Sequence, residues 1–375
     1  MKGKKMRFSI VILLLVSLLV ACSSGGSGGD ADSSPSGGTS TSNANNAEET
    51  GGETSETGNS DSGGEAGRFA IIFKNTGNPY GEKMMEGYKT AVEELGHTAI
   101  LRAPDQPTAE AQIQIIEELI SQKVDVIALS ANDPDALQPA LQKAMNAGIK
   151  VLSLDSAVNG SSRHVHVNQA DPELIGRTLI EGISEMIGGE GEIAILSATS
   201  QATNQNTWIE VMKRVLEEPE FSNIELVKIA YGDDLRDKST SETEALLRTY
   251  PNLKGIIAPT TVGIAAAAKV LSDKGLKGQV HLTGLGLPSE MAEYIESGVC
   301  QWMYLWNPID VGYLAGYAAD ALYKGTITGT VGDKFEAGRL GEKEVIADGD
   351  DATQIMLGPP FRFDQDNIVE WKDVY

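Results

Sequence analysis

The chain has only two cysteines, Cys22 and Cys300, among 375 residues, so no framework of disulfides can hold it together. It has four histidines, and none stands at a spacing that assembles a metal site. His164 and His166 share one side if their segment is extended, but a third ligand is missing. His97 and His281 sit beside apolar runs and read as structural. Glycine-rich cradles are absent too. No Gly-x-Gly-x-x-Gly follows the first apolar run, no phosphate loop ends in Gly-Lys-Ser/Thr, and no Gly-x-Ser-x-Gly elbow occurs. These absences argue against a dinucleotide enzyme, an NTPase and a serine hydrolase, and no cofactor is expected. Basic charge is also scarce. Thirty Lys and Arg face 53 Asp and Glu, a formal charge of −23, which excludes phosphate-rich nucleic acid as a partner.

Long apolar runs are nearly absent as well. Phe8–Val20 is one, interrupted only by Ser9 and Ser17. It follows the basic start Lys2, Lys4, Lys5 and Arg7, and at thirteen residues it is short of the roughly 20 that span a bilayer. The pattern reads as a signal peptide, residues 1–21. Leu19-Val20-Ala21 then precedes Cys22, whose thiol can be diacylated to give a lipid anchor. Residues 22–67 hold Gly, Ser, Thr, Asn and acidic groups, with almost no apolar side chain larger than alanine. Such a segment cannot offset the entropy of ordering and is expected to be a disordered tether. Its typical span is about 35–40 Å. A long tether behind a lipidated cysteine fits the outer face of the cell membrane in a Gram-positive-type envelope.

From Arg68 onward, short apolar runs alternate with amphipathic segments of helical length. Strands are expected at 69–73, 98–101, 124–130 and 150–155, then at 193–196, 224–230, 255–258, 280–283 and 301–306. Asp133-Pro134 and Asp171-Pro172 read as capped helix starts, and Pro288 opens another helix. Strands apolar at consecutive positions between helices mean parallel sheets covered on both faces. The fold class is therefore α/β, with two doubly wound lobes. In such sheets ligands sit beyond the carboxyl ends of the strands.

Those ends carry hydrogen-bonding groups, many of them neutral. Lys74, Asn75 and Tyr80 follow the first strand, Asn132 and Asp133 the third, and Asp155 the fourth. In the second half come Asn204 and Gln205, then Pro259, Thr260 and Thr261, the run Gly284-Leu285-Gly286, and Trp306 with Asn307. Forked amide and carboxylate groups beside an aromatic plate, here Tyr80 or Trp306, suit a sugar-like ligand. Asn132, Asp133 and Asn204 also suit turns and helix caps. Cys300 reads as a small buried apolar residue.

The runs Ala131–Leu137, Ala202–Trp208, Tyr231–Asp234, Ile257–Thr260 and Thr283–Ser289 resemble the periplasmic-binding-protein group with a ribose-binding-like fold, most closely its rhamnose-binding branch. A sister branch binds the furanosyl signal autoinducer-2. The resemblance implies a type I periplasmic binding protein whose lobes are joined by three crossovers, near 156–159, near 306–309 and after Gly325. It divides the body into an N-terminal lobe of 68–157 plus 309–330 and a C-terminal lobe of 158–308 plus 331–360, with 361–375 as an extension. By position, the sister branch places ligand contacts on Lys74, Tyr80, Asp155, Asn204, Gln205, Pro259 and Thr261. It carries aspartate at 204 and alanine at 261. An amide at 204 changes the hydroxyl pattern that is satisfied, which favours a deoxyhexose such as L-rhamnose. Function is then capture of a small sugar by a monomeric, non-enzymatic lipoprotein that delivers it to ABC permease subunits. Autoinducer-2, another pentose or deoxyhexose, and a sensor role are the alternatives.

Overall fold

The computed structural model describes residues 66–349 and 351–375. The expected signal peptide, Cys22 and nearly all of the expected tether lie outside the described residues. The expected tether boundary is one residue too late in space, because Gly67 already belongs to the body. Its carbonyl accepts from the Thr98 N–H at 2.9 Å and its N–H donates to His97 Nδ1 at 2.9 Å.

The chain enters through β1 (Arg68–Ile72), α1 (Pro79–Glu94), β2 (Thr98–Arg102), α2 (Ala109–Ser121), β3 (Val126–Leu129), α3 (Pro134–Asn146), β4 (Lys150–Leu154) and β5 (Val165–Asn168). It continues through α4 (Pro172–Ile187), β6 (Gly191–Ser197), α5 (Thr203–Leu216), β7 (Ile224–Tyr231), α6 (Arg236–Thr249), β8 (Leu253–Ala258) and α7 (Thr261–Asp273). Then come β9 (His281–Gly284), α8 (Pro288–Glu296), β10 (Trp302–Leu305) and α9 (Pro308–Lys324). The tail adds β11 (Lys334–Glu336), β12 (Glu342–Glu344), β13 (Ile346–Ala347), β14 (Thr353–Met356), β15 (Phe361–Asp364) and α10 (Ile368–Trp371).

The strands form two main sheets, ordered β13-β14-β5-β4-β3-β1-β2 and β7-β6-β8-β9. The central strands β1, β3, β4, β5, β6 and β8 pair parallel and are mostly buried, as the consecutive apolar runs require. β10 and β15 pair antiparallel beside β9, with Leu285 bridging to Tyr304. The expected caps are present: the carboxylate of Asp133 accepts from Asp135 and Ala136 N–H, and that of Asp171 from Glu173 N–H.

Three expected boundaries need correction. β5 was not foreseen, and it lies in the first sheet beside β4, so the first crossover falls at residues 169–171 rather than near 156–159. Residues 331–360 belong mainly to the first sheet, because β14 pairs with β5, matching Gln354 to His166 and Met356 to Asn168. Residues 361–375 are no extension. β15 pairs with β10, and Phe361, Phe363, Trp371 and Tyr375 pack ring against ring, which returns the chain to the second lobe. The chain passes between the two groups of strands at 169–171, 306–307 and 357–360.

Helices α1 and α9 meet along a glycine seam. A Cβ on Gly87 would come 1.9 Å from the Ile309 carbonyl oxygen, and one on Gly312 would come 1.8 Å from that of Met84. These contacts are with backbone, which cannot rotate aside, so any side chain forces the helices apart. Gly312→Ala is expected to lower the unfolding free energy by about 1–3 kcal/mol or more. A urea titration in which this variant unfolds with the wild type would refute that packing.

Candidate functional site

The carboxyl ends of both sheets converge on one pocket. It is lined by Phe73, Lys74, Asn78, Tyr80 and Asp155 from the first lobe, and by Asn204, Gln205, Trp208, Asp234, Pro259, Thr260, Thr261, Leu285, Leu305 and Trp306 from the second. The space in it that can take the centre of a water molecule is about 40 Å³, room for a few waters.

Asp155 organises the first-lobe wall. It follows β4 with φ of +60°, a left-handed conformation that Asp tolerates better than most residues, and its N–H is held by the Val167 carbonyl at 3.2 Å. Its carboxylate is buried and fully engaged. Oδ2 faces Lys74 Nζ at 3.3 Å and accepts from Ser130 Oγ at 2.8 Å, while Oδ1 accepts from Asn204 Nδ2 at 3.1 Å. The last bond spans the two lobes, and a second does so beside it, from Thr203 Oγ1 to the Ala157 carbonyl at 3.1 Å.

Tyr80 is set by the start of α1, where the Asn78 side chain caps the helix by accepting from Tyr80 and Gly81 N–H. Its hydroxyl accepts from Trp306 Nε1 at 2.7 Å. Burial, with the Asp155 carboxylate adding to it, holds that hydroxyl proton well above the ordinary tyrosine range. Trp306 leans edge-on against Trp208 at 5.8 Å, so its ring is both wall and core. Gln205 is fixed through its oxygen, which accepts from Ser197 Oγ and Ala198 N–H, both at 2.7 Å. The amide nitrogen is left as its remaining donor group.

Lys74, Tyr80, Asp155, Asn204, Gln205, Pro259, Thr261 and Trp306 therefore meet at one pocket, as the strand-end pattern predicts. Asn75 and Asn307 do not. Asn75 is buried and donates to the Thr76 carbonyl, and Asn307 caps α9 by accepting from Ile309 N–H at 2.9 Å. Asn132 serves structure too, donating to the Lys74 carbonyl at 2.9 Å. Asp234 lines the pocket and was not singled out, since an aspartate in Tyr-Gly-Asp-Asp reads as a turn. Burial raises its acid range, with Lys74 opposing that effect. Cys300 is buried, and burial pushes its thiol up to about 12, as befits an inert core residue.

Removing Asp155 would leave the Lys74 ammonium buried without its nearest anion. Asp155→Ala is expected to cost about 3–5 kcal/mol of stability, whereas Asn204→Ala removes one bond to that carboxylate and should cost about 1.5–3 kcal/mol. Equal urea midpoints for the two variants would contradict this account. Alanine at 155 thus perturbs folding as well as the pocket.

Residues 69–327 match the periplasmic binding protein domain. The structure of an ABC transporter solute-binding protein from Clostridium phytofermentas with bound L-rhamnose is 50% identical, with a TM-score of 0.81, covering 83% of this chain and 99% of that one. LsrB from Clostridium saccharobutylicum in complex with AI-2 shares the fold, with a TM-score of 0.77 at 24% identity over 81% of this chain and 99% of that one. The D-apiose import binding protein of Actinobacillus succinogenes is 26% identical over 203 residues, 54% of this chain and 64% of that protein. These relatives are binding proteins and not enzymes, in keeping with a site whose polar groups line a cleft between two lobes. The family match over the pocket-forming body makes this chain a member of the periplasmic binding protein family.

Proposed function

We propose that this chain is the extracytoplasmic, lipid-anchored sugar receptor of an ABC importer, that its ligand is L-rhamnose, and that the ligand is held between lobes closing at the three crossovers. The observation that carries the ligand choice is the 50% identity, over nearly all of its length, to a protein with L-rhamnose bound. The pocket supports it physically. A neutral deoxyhexose offers hydroxyls to Lys74, Asn204, Gln205 and Asp234 and an apolar methyl to Leu285, Leu305 or the Trp306 ring. Asn204 supports it further. Its amide donates to Asp155 while its oxygen accepts from Gln205 N–H at 2.8 Å. An aspartate there, as in the autoinducer-2 branch, would set two carboxylates together and could not donate.

Ligand bridging both lobes would favour the closed arrangement by its extra contacts, and permease subunits would read that closed surface. The protein acts as a monomer in this reading. Isothermal titration with L-rhamnose, D-ribose, D-xylose and autoinducer-2 is expected to rank L-rhamnose first by about tenfold or more, roughly 1.4 kcal/mol. Tighter binding of any other of these ligands would overturn the ligand assignment.

The anchor has its own test. Cys22 follows a basic start and a short apolar core, and acylation there would keep the tethered body on the membrane surface. Mass spectrometry of the membrane fraction is expected to find a diacylglyceryl group on Cys22, and Cys22→Ala should release the protein into the medium. Membrane retention of that variant would refute the anchor.

A further inference from the structure

The two pocket carboxylates differ in how much of their acceptor capacity the protein already uses. A carboxylate has about four lone-pair sites. Asp155 meets Ser130, Lys74 and Asn204 with two oxygens, and the Tyr80 hydroxyl lies beside it. Asp234 receives one hydrogen bond, from the Thr260 hydroxyl to Oδ1. Among the described residues none donates to Oδ2, and Asp234 lines the pocket.

The backbone that aims Asp234 is built with care. Asp233 and Asp234 are consecutive non-glycine residues in the left-handed region, at φ of +54° and +53°. Such pairs are uncommon and are held only where the surroundings over-determine them. Here Gly232 N–H donates to the Ser197 carbonyl at 2.8 Å, Asp233 N–H to the Ala198 carbonyl at 3.1 Å, and Leu235 N–H to the Gly232 carbonyl at 2.9 Å. A Cβ on Gly232 would come 2.2 Å from Ser239 Oγ, so the turn also needs glycine there. The first aspartate turns outward to pair with Lys238, and the second turns into the pocket.

We propose that Asp234 is a ligand-contacting residue, accepting a hydrogen bond from one ring hydroxyl of the bound sugar through Oδ2 and so fixing which hydroxyl pattern the pocket accepts. This rests on the sugar-binding reading above. An anionic or deoxygenated group at that position has no proton to give, so the site selects a hydroxyl there.

The test uses the mature full chain, L-rhamnose and its monodeoxy analogues in calorimetric titration, comparing wild type with Asp234→Asn. Asparagine also tolerates left-handed backbone, and its oxygen can keep the Thr260 bond, so the substitution aims an amide N–H₂ at the ligand. Asp234→Asn is expected to bind L-rhamnose about 10- to 100-fold more weakly. One monodeoxy analogue should bind the wild type about tenfold or more weakly than L-rhamnose, yet bind wild type and variant within about threefold of each other. That coupling would not arise from a merely structural role. The inference is overturned if Asp234→Asn binds L-rhamnose within about threefold of wild type. It is also overturned if no monodeoxy analogue loses affinity for the wild type, a measurement that needs no variant to fold. Wild-type protein that binds none of L-rhamnose, D-ribose or D-xylose would instead sink the sugar reading itself.

Discussion

The buried pair of Lys74 and Asp155 is the constraint around which the rest of the pocket is arranged. Taking both charges out of water is costly, and their mutual attraction offsets that only when the remaining valences are filled. Ser130 and Asn204 fill them. This requirement explains why a left-handed backbone is tolerated at Asp155: glycine would relax the turn but supply no anion. It also explains why the lobes touch where they do. Asn204 comes from α5 of one lobe and completes the coordination of a carboxylate belonging to the other.

Around that pair the pocket is graded from engaged to available. Asp155, Tyr80 and the Gln205 oxygen are held by neighbouring protein groups, which fixes their geometry. Lys74, the Gln205 nitrogen and Asp234 retain capacity directed into the space. A binding site needs both kinds of group. The first limits the entropy lost when ligand arrives, and the second supplies discrimination. The glycine seam between α1 and α9 brings the two helix backbones into direct contact beneath the first-lobe wall.

Much of this architecture was legible in the sequence because consecutive apolar residues carry a strong signal. Ile127-Ala128-Leu129 and Ile256-Ile257-Ala258 admit little besides buried parallel strands. The Asp-Pro pairs fixed two helix starts almost to the residue. The tail was harder. In β14 only Ile355 is fully buried, and β11 and β12 are mostly charged, so pairing rather than composition makes them strands. α6 begins at Arg236 with a polar first turn that shows no apolar stripe. Eight of the ten expected site residues converge, since strand ends must. Asn75 and Asn307 share that chemistry but spend it on local backbone, a choice that depends on side-chain direction. Asp234 went unmarked for the converse reason. Its role depends on an unused oxygen, and nothing in residue type reports that.

The strands that finish each lobe are the last in the chain. β14 pairs with β5 across half the chain's length, and β15 joins β10 afterwards. In terms of contact order, these pairings are nonlocal, each waiting on residues made well after its partner strand. Until Thr353–Asp364 arrives, β5 and β10 present open edges, which are templates for unwanted strand addition. Proteolytic clipping near Ile346 would therefore not trim a surface loop. It would unseal both lobes at once.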